Sequence, residues 1–205
     1  MFLQKPPSLF CTSKKLEERP GGAGKVALNL QALGCQNTTL LGLTGKDDPA
    51  DTLKKQFASL NINCQFHSVS DAHTITKLRV IGRNQQLIRL DFEEPFSEAH
   101  AEALLPSFKE NVTKADVLIL SDYGKGVVMH HAQTFIKAAK KAGIPVLVDP
   151  KSTDFNIYRG ATIITPNQKE FEAVVGPCAN QSELITKGHH SCAHMIYMAQ
   201  DLCLG

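Results

Sequence analysis

The residues best suited to chemistry in this chain fall into four groups. The first is Pro20-Gly21-Gly22, just ahead of a helical run that carries Val26, Leu28, Leu30 and Leu33 and is stopped by Gly34. Glycines in that position let a ligand approach the backbone with no side chain in the way. The helix behind them points unpaired N–H groups forward, and an anion suits that spot. The second group is Lys77, Arg79 and Arg89, with Asp91, on two alternating stretches, TITKLRVI and QQLIRLDF. The third is a set of apolar stretches that each run into polar residues: Ser121-Asp122-Tyr123-Gly124-Lys125-Gly126, Asp149-Pro150-Lys151, and Thr165-Pro166-Asn167 followed by Glu170. The fourth is His189, His190, Cys192 and His194 near the end, all metal-ligand types.

Two chemistries compete for the glycine turn: dinucleotide binding and sugar-phosphate binding. Gly22-Ala23-Gly24-Lys25-Val26-Ala27 spells G-x-G-x-x-A. A dinucleotide fingerprint also needs a buried strand immediately before it and an acid closing the second strand. The preceding residues, SKKLEERP, are no buried strand, and Asp47 lies in a turn. The phosphate loop G-x-x-x-x-G-K-[ST] fails too, because Val26 follows Gly24-Lys25 and Arg19 stands where the first glycine belongs. In open α/β sheets ligands sit outside the carboxyl ends of strands, so three successive strands ending in polar residues predict a common cleft. Asn167 and Glu170 share one face of a helix start and would hold Mg²⁺ through waters. Glu170 also suits a helix N-terminus with no ligand at all, and Asp149-Pro150-Lys151 also suits a simple strand-end turn. The spacing of the histidines and Cys192 does not match a zinc-finger module.

The elements that must position these groups follow from periodicity. Helices are expected at Gly22–Leu33, from Asp47-Asp48-Pro49 to Leu60 with Leu53, Phe57 and Leu60 on one face, at Ser97–Glu110, at His131–Ala142 with Phe135, Ile136 and Ala139 inward, and from Lys169 to Val175. Strands are expected at Thr38–Leu43, Asn63–Val69, Ala115–Ser121, Pro145–Asp149 and Ala161–Thr165. Thr74–Phe92 reads as a β-hairpin turning at Gly82-Arg83-Asn84. Its polar face is either a solvated sheet surface or a cationic wall beside an anion site. Elsewhere strands and helices alternate at spacings that require crossover connections. The fold class is therefore α/β, with a mainly parallel central sheet flanked by helices and a small β-hairpin.

Composition sets the outer limits. The chain has 205 residues, 42% of them hydrophobic, and a net charge of +2. One core of ordinary size fits, and no electrostatic case exists for nucleic acid or membrane partners. No apolar run reaches the roughly 18 residues of a membrane span. Lys5-Pro6-Pro7 interrupts the apolar start before a signal core of about 7 residues can form. Six cysteines without C-x-x-C spacing point to reduced thiols in a cytoplasmic setting.

Pro20-Gly21-Gly22 with its apolar helix resembles the first signature of the ribokinase (PfkB) sugar kinases, and Asn167-x-x-Glu170 resembles their N-x-x-E element. TITKLRVIGRNQQLIRLDFEE, LSDYGKG, VLVDPKSTDF, YRGATIITPN and EFEAVVG, in that order, resemble the heptose 7-phosphate kinase branch of that family. The resemblance runs over about residues Leu16–Thr186. It implies a ribokinase-like fold and ATP-dependent phosphorylation of D-glycero-D-manno-heptose 7-phosphate at C1, with Mg²⁺. The product would feed ADP-heptose and lipopolysaccharide core synthesis. The branch often carries an adenylyltransferase as a second half, and intact members are expected to be homodimers. On this resemblance Gly21 and Gly22 lie against the sugar, with Lys25 beside them, and the hairpin is part of a lid. Lys77, Arg79 and Arg89 face the substrate phosphate or a dimer contact. Asp149 and Lys151 line the nucleotide side, and Asn167 and Glu170 organise Mg²⁺ and the ATP phosphates.

Three departures from the family pattern set further expectations. Met1–Lys15 holds neither an apolar strand nor an aspartate, where the family has a strand bearing Gly-Asp and a sugar-binding Asp. Lys25 stands where the family has Asn, and lysine only donates. The D-T-x-G-A-G-D segment, which supplies the family's general base and an anion hole, does not occur after Gly176. The expected organisation is a divergent lead-in over residues 1–15, a partial kinase domain over 16–186, and a divergent tail over 187–205, as a frameshifted, truncated gene would give. Exposed apolar faces, poor solubility and negligible activity of the chain alone are expected from this.

Overall fold

The computed structural model describes residues 15–195 and 197–198, with side chains through residue 189. The lead-in expected over Met1–Lys15 therefore lies almost wholly outside the described residues. So do the side chains of His190, Cys192 and His194.

The first unit is a helix and a βαβ crossover. Helix α1 (Ala23–Ala32) leads to β1 (Thr38–Gly45), α2 (Asp48–Ala58) and β2 (Ile62–Val69), and β1 and β2 pair in parallel from Thr38↔Ile62 to Gly45↔Val69. Asp47 caps α2, accepting from the Ala50 amide at 3.2 Å, and Pro49 sits in the first turn. The inward face of α1 is Gly24 and Ala27, while Leu33, at the C-cap, is 85% exposed. Gly24 is needed for close packing: a Cβ there would lie 2.8 Å from Cζ of the buried Phe57. Leu60 also differs from expectation. Helix α2 ends at Ala58, so Leu60 falls in the following turn and is exposed.

The hairpin comprises β3 (Thr76–Gly82) and β4 (Gln85–Phe92), antiparallel. Its connection is two residues, Arg83 and Asn84, both with positive φ. That is the pattern of a type I′ turn, whose twist matches the strands. Gly82, expected in the turn, is instead the last residue of β3.

Ser97–Glu110 is two helices, α3 (Glu98–Glu102) and α4 (Leu105–Val112). Pro106 is the reason, since it lacks an N–H and fits only the first turn of a new helix. Then come β5 (Leu118–Ser121), α5 (Val127–Lys141), β6 (Val146–Asp149), a short 3₁₀ turn (Phe155–Tyr158), β7 (Ile163–Ile164), α6 (Gln168–Val175), α7 (Gln181–Met195) and β8 (Tyr197–Met198). These strands form one parallel sheet in the order β5-β6-β7-β8. The last strand is a feature the sequence did not suggest.

The parallel strands thus fall into a pair and a four-stranded sheet rather than one ladder. Leu41 of β1 joins the larger core by its side chain, not by backbone pairing. That core gathers Phe135, Ile136 and Ala139 of α5, Val146 and Val148 of β6, Phe155, Tyr158 and Phe171. Burying each large apolar side chain contributes roughly 1.5–3 kcal/mol before entropy is counted. Among the described residues Cys35, Cys64 and Cys178 are free thiols, and burial pushes Cys64 up to about 11. No helix among them is long and apolar enough to cross a membrane.

Candidate functional site

The glycine turn is built as its sequence requires. The Gly24 amide donates to the Gly21 carbonyl and the Lys25 amide to that of Gly22, both at 3.0 Å, so the chain winds directly into α1. Gly22 caps the helix at φ 54°, a left-handed conformation that favours glycine. A Cβ at Gly21 would meet nothing within 4 Å, so that side of the turn is open. A Cβ at Gly22 would sit 3.6 Å from the ring of Tyr123. Lys25 is exposed on the first turn of α1.

Tyr123 belongs to the loop leaving β5. The carboxyl ends of β5, β6 and β7 lie side by side, with Ser121 in register with Asp149. The Asp122 amide donates to the Asp149 carbonyl at 2.9 Å, and the Thr165 amide to that of Val148 at 2.9 Å. Asp122 is buried, at 4% exposure, yet fully partnered. Its Oδ1 accepts from the Gly124 amide at 2.7 Å, and its Oδ2 accepts from the Tyr158 hydroxyl at 2.5 Å. The Tyr158 oxygen in turn accepts from the amides of Lys151 (3.3 Å) and Ser152 (3.2 Å). One buried phenol therefore ties the loop after β5 to the loop after β6. Burial, and then the Asp122 carboxylate, push the Tyr158 phenol well above its ordinary range.

Lys151 carries the arrangement onward. Its Cγ lies 3.8 Å from where a Cβ at Gly124 would stand, and its Nζ lies 3.4 Å from Glu170 Oε1. Asn167 and Glu170 form a reciprocal capping box on α6: Asn167 Oδ1 accepts from the Glu170 amide (3.1 Å) and Glu170 Oε2 from the Asn167 amide (3.0 Å). Burial, then Glu170 and Asp122, raise Asp149 above the ordinary carboxylate range. The Asp149 carboxylate thus feels those of Glu170 and Asp122, while Lys151 faces Glu170 from the other side. Among the described residues no group of three or more His, Cys, Asp or Glu side chains is placed to hold a metal ion.

From Gly22 the contacts run to Tyr123, Gly124, Lys151, Glu170 and Asn167. The structure thus brings together Gly22, Asp149, Lys151, Asn167 and Glu170. The hairpin cations stand apart. Lys77 pairs with Asp91 (3.2 Å) and Glu93 (2.7 Å), and Arg89 chelates Asp91 with two bonds of 2.7 Å. Arg89, then Lys77, lower the Asp91 carboxyl to about 2. Arg79 lies directly opposite Arg89 and, among the described residues, has no ion pair. The hairpin reaches the site through Glu93, whose other oxygen meets Lys125 at 2.9 Å, and through the Phe96 amide, which donates to the Lys125 carbonyl.

Sequence reasoning missed the roles of Asp122, Tyr123 and Tyr158. Asp122 was visible as a polar residue closing an apolar strand. Tyr158 offered no signal, because its partner lies 36 residues away.

The pattern of the family described as pfkB family carbohydrate kinase matches residues 4–198. The chain is 54% identical over 173 residues to the Bifunctional protein HldE of Aeromonas hydrophila, and 53% identical over 173 residues to that of Escherichia coli; in each case the match covers 84% of this chain. It spans 36% of the length of these curated relatives. Among solved structures, a possible 1-phosphofructokinase from Thermotoga maritima superposes with a TM-score of 0.75 at 14% identity, covering 96% of this chain and 65% of that one. The tetrameric inhibited form of phosphofructokinase-2 from Escherichia coli gives 0.66 at 20% identity, covering 90% of this chain and 64% of that one. The fold is therefore ribokinase-like.

Proposed function

The chain belongs to the pfkB family of carbohydrate kinases, and on that premise we propose that it derives from a kinase using ATP to phosphorylate D-glycero-D-manno-heptose 7-phosphate at C1. The observation that carries this is the continuous row from Gly22 through Tyr123 and Lys151 to Glu170, which joins the glycine turn to the strand ends. Relatives more than 50% identical, named as bifunctional HldE, support the heptose branch.

On this reading the sugar rests on the open side of Gly21-Gly22, and Lys25 meets its hydroxyls as a donor only. Arg79 is the first candidate for the 7-phosphate, because Lys77 and Arg89 are already neutralised by Asp91 and Glu93. Asn167 and Glu170, with Asp149, would hold Mg²⁺ through waters, and Lys151 would face the ATP phosphates. When bound, Mg²⁺ screens the phosphate charges, which is most of what such transfer needs beyond positioning. The hairpin serves as lid and wall, and the intact enzyme is a cytoplasmic homodimer.

These 205 residues hold no D-T-x-G-A-G-D segment. The 205-residue chain by itself therefore binds without turnover, and this absence favours a second reading, a non-catalytic sugar-phosphate-binding or dimerisation module. A coupled ADP-release assay with heptose 7-phosphate, run beside thermal unfolding with the same ligand, tests both. The expected result is a rise in Tm without ADP release. Turnover of about 1 s⁻¹, the low end for kinases, overturns the inactivity. No rise in Tm overturns the sugar site.

A further inference from the structure

We infer that Tyr123 is the specificity-determining wall of the sugar site: its ring supplies the apolar face against which the sugar ring of a sugar phosphate lies. This rests on the reading of Gly21-Gly22 as the sugar floor. Four observations support it. The ring covers Gly22 at 3.6 Å from the missing Cβ, so it lies directly on backbone. It is nonetheless 46% exposed, an aromatic left open beside the glycine turn. Its neighbour Gly21 leaves the adjoining space clear. Its own backbone is held: Asp122 before it is buried and bonded to Tyr158, and Gly124 after it donates to Asp122 at 2.7 Å.

A flat, open ring beside bare backbone, with Lys151 against the next residue, Gly124, matches a ligand that has an apolar C–H face and a polar rim. A pyranose carrying a phosphate has that shape. A nucleotide base would also stack on a phenol ring. The packing of Tyr123 against the glycine turn, toward the opposite end of the row from Asn167 and Glu170, favours the sugar.

The test uses the full 205-residue chain and thermal unfolding over concentration series of three probes: heptose 7-phosphate, glycerol 3-phosphate as a ringless phosphate, and ADP with Mg²⁺. Tyr123→Ala should weaken heptose 7-phosphate about tenfold, in the range of aromatic contact energies. It should leave glycerol 3-phosphate and ADP unchanged, so the preference for a ring collapses. Tyr123→Phe should match the parent chain with all three. Tyr158→Phe keeps the ring of residue 123 but frees its loop, and should give an intermediate loss confined to heptose 7-phosphate. Unchanged heptose 7-phosphate affinity in Tyr123→Ala overturns the role of Tyr123 alone, as does a loss that falls on ADP. Failure of the parent chain to respond to heptose 7-phosphate overturns the sugar-site reading and the wall with it.

Discussion

In the hairpin β3–β4, Asp91 and Glu93 meet Lys77 and Arg89 in solvent. At the ends of β5 and β6, Asp122 meets Tyr158 in the core. Both regions bear charge towards the same loop, Asp122–Gly126, but their supports differ. The hairpin has every residue of β4 exposed, and its Leu78, Ile88 and Leu90 face is 40–47% exposed. A two-stranded hairpin without a covered face is marginal by itself. The strand ends rest on Phe155, Tyr158, Val146 and Val148, each at most 2% exposed. The exposed pairs can exchange partners with solvent or ligand at little cost, since such ion pairs contribute little. The buried network cannot, because an orphaned buried group costs its desolvation. The hairpin is thus held mainly by exposed pairs and the strand ends by a buried network.

The largest effect should come from the core beneath the strand ends. Phe155→Ala should cost about 3–5 kcal/mol in urea unfolding. Leu90→Ala on the hairpin should cost less than about 1 kcal/mol, because its side chain is already half in water. Equal losses would break the comparison.

Asp47 lies between the extremes. Burial pushes its carboxyl up, but the Thr74 hydroxyl (2.6 Å) and amide (2.8 Å) and the Ala50 amide outweigh that, so it is lowered from 3.8. A lowered carboxyl stabilises above its unfolded value and loses that contribution as pH falls through the folded one. Asp47→Ala should therefore cost roughly 0.5–2 kcal/mol near neutrality, as helix caps do. The gap from the parent should close below about pH 4 in acid-unfolding curves, given the ordinary carboxylate range. A gap that persists in acid would mean that the cap acts through shape rather than charge.

The smallest effect should be that of Arg89→Ala. Stability should fall slightly at low ionic strength, with the difference vanishing at 1 M salt, where screening acts within about 3 Å. A salt-independent loss would show that the hairpin pair is structural after all.

Much of this was legible from local pattern. The hairpin, the inward face of α5 and the polar ends of three strands follow from alternation and helical period, and the glycine turn from its residue types. Leu60 was misplaced because apolar character reads the same in a turn as in a helix. The break at Pro106 was a visible signal that the longer helical period obscured. The capping box of Asn167 and Glu170 was half legible, since either residue suits a helix start. Tyr158 was not legible, because a contact across 36 residues leaves no periodic trace. Nor was β8, where two paired residues are too few to form a pattern.

Gly126 carries a consequence of a different kind. It stands at φ 106°, and a Cβ there would lie 2.2 Å from the Phe96 carbonyl oxygen, an immovable backbone atom. No L-amino acid satisfies both conditions without strain, and achiral glycine does. In genetic terms the codon at position 126 tolerates only synonymous change while the hairpin remains attached as it is. The ion pairs of Lys77 and Arg89 can be exchanged at little cost, but the junction that hands the hairpin to the strand ends admits no side chain at position 126.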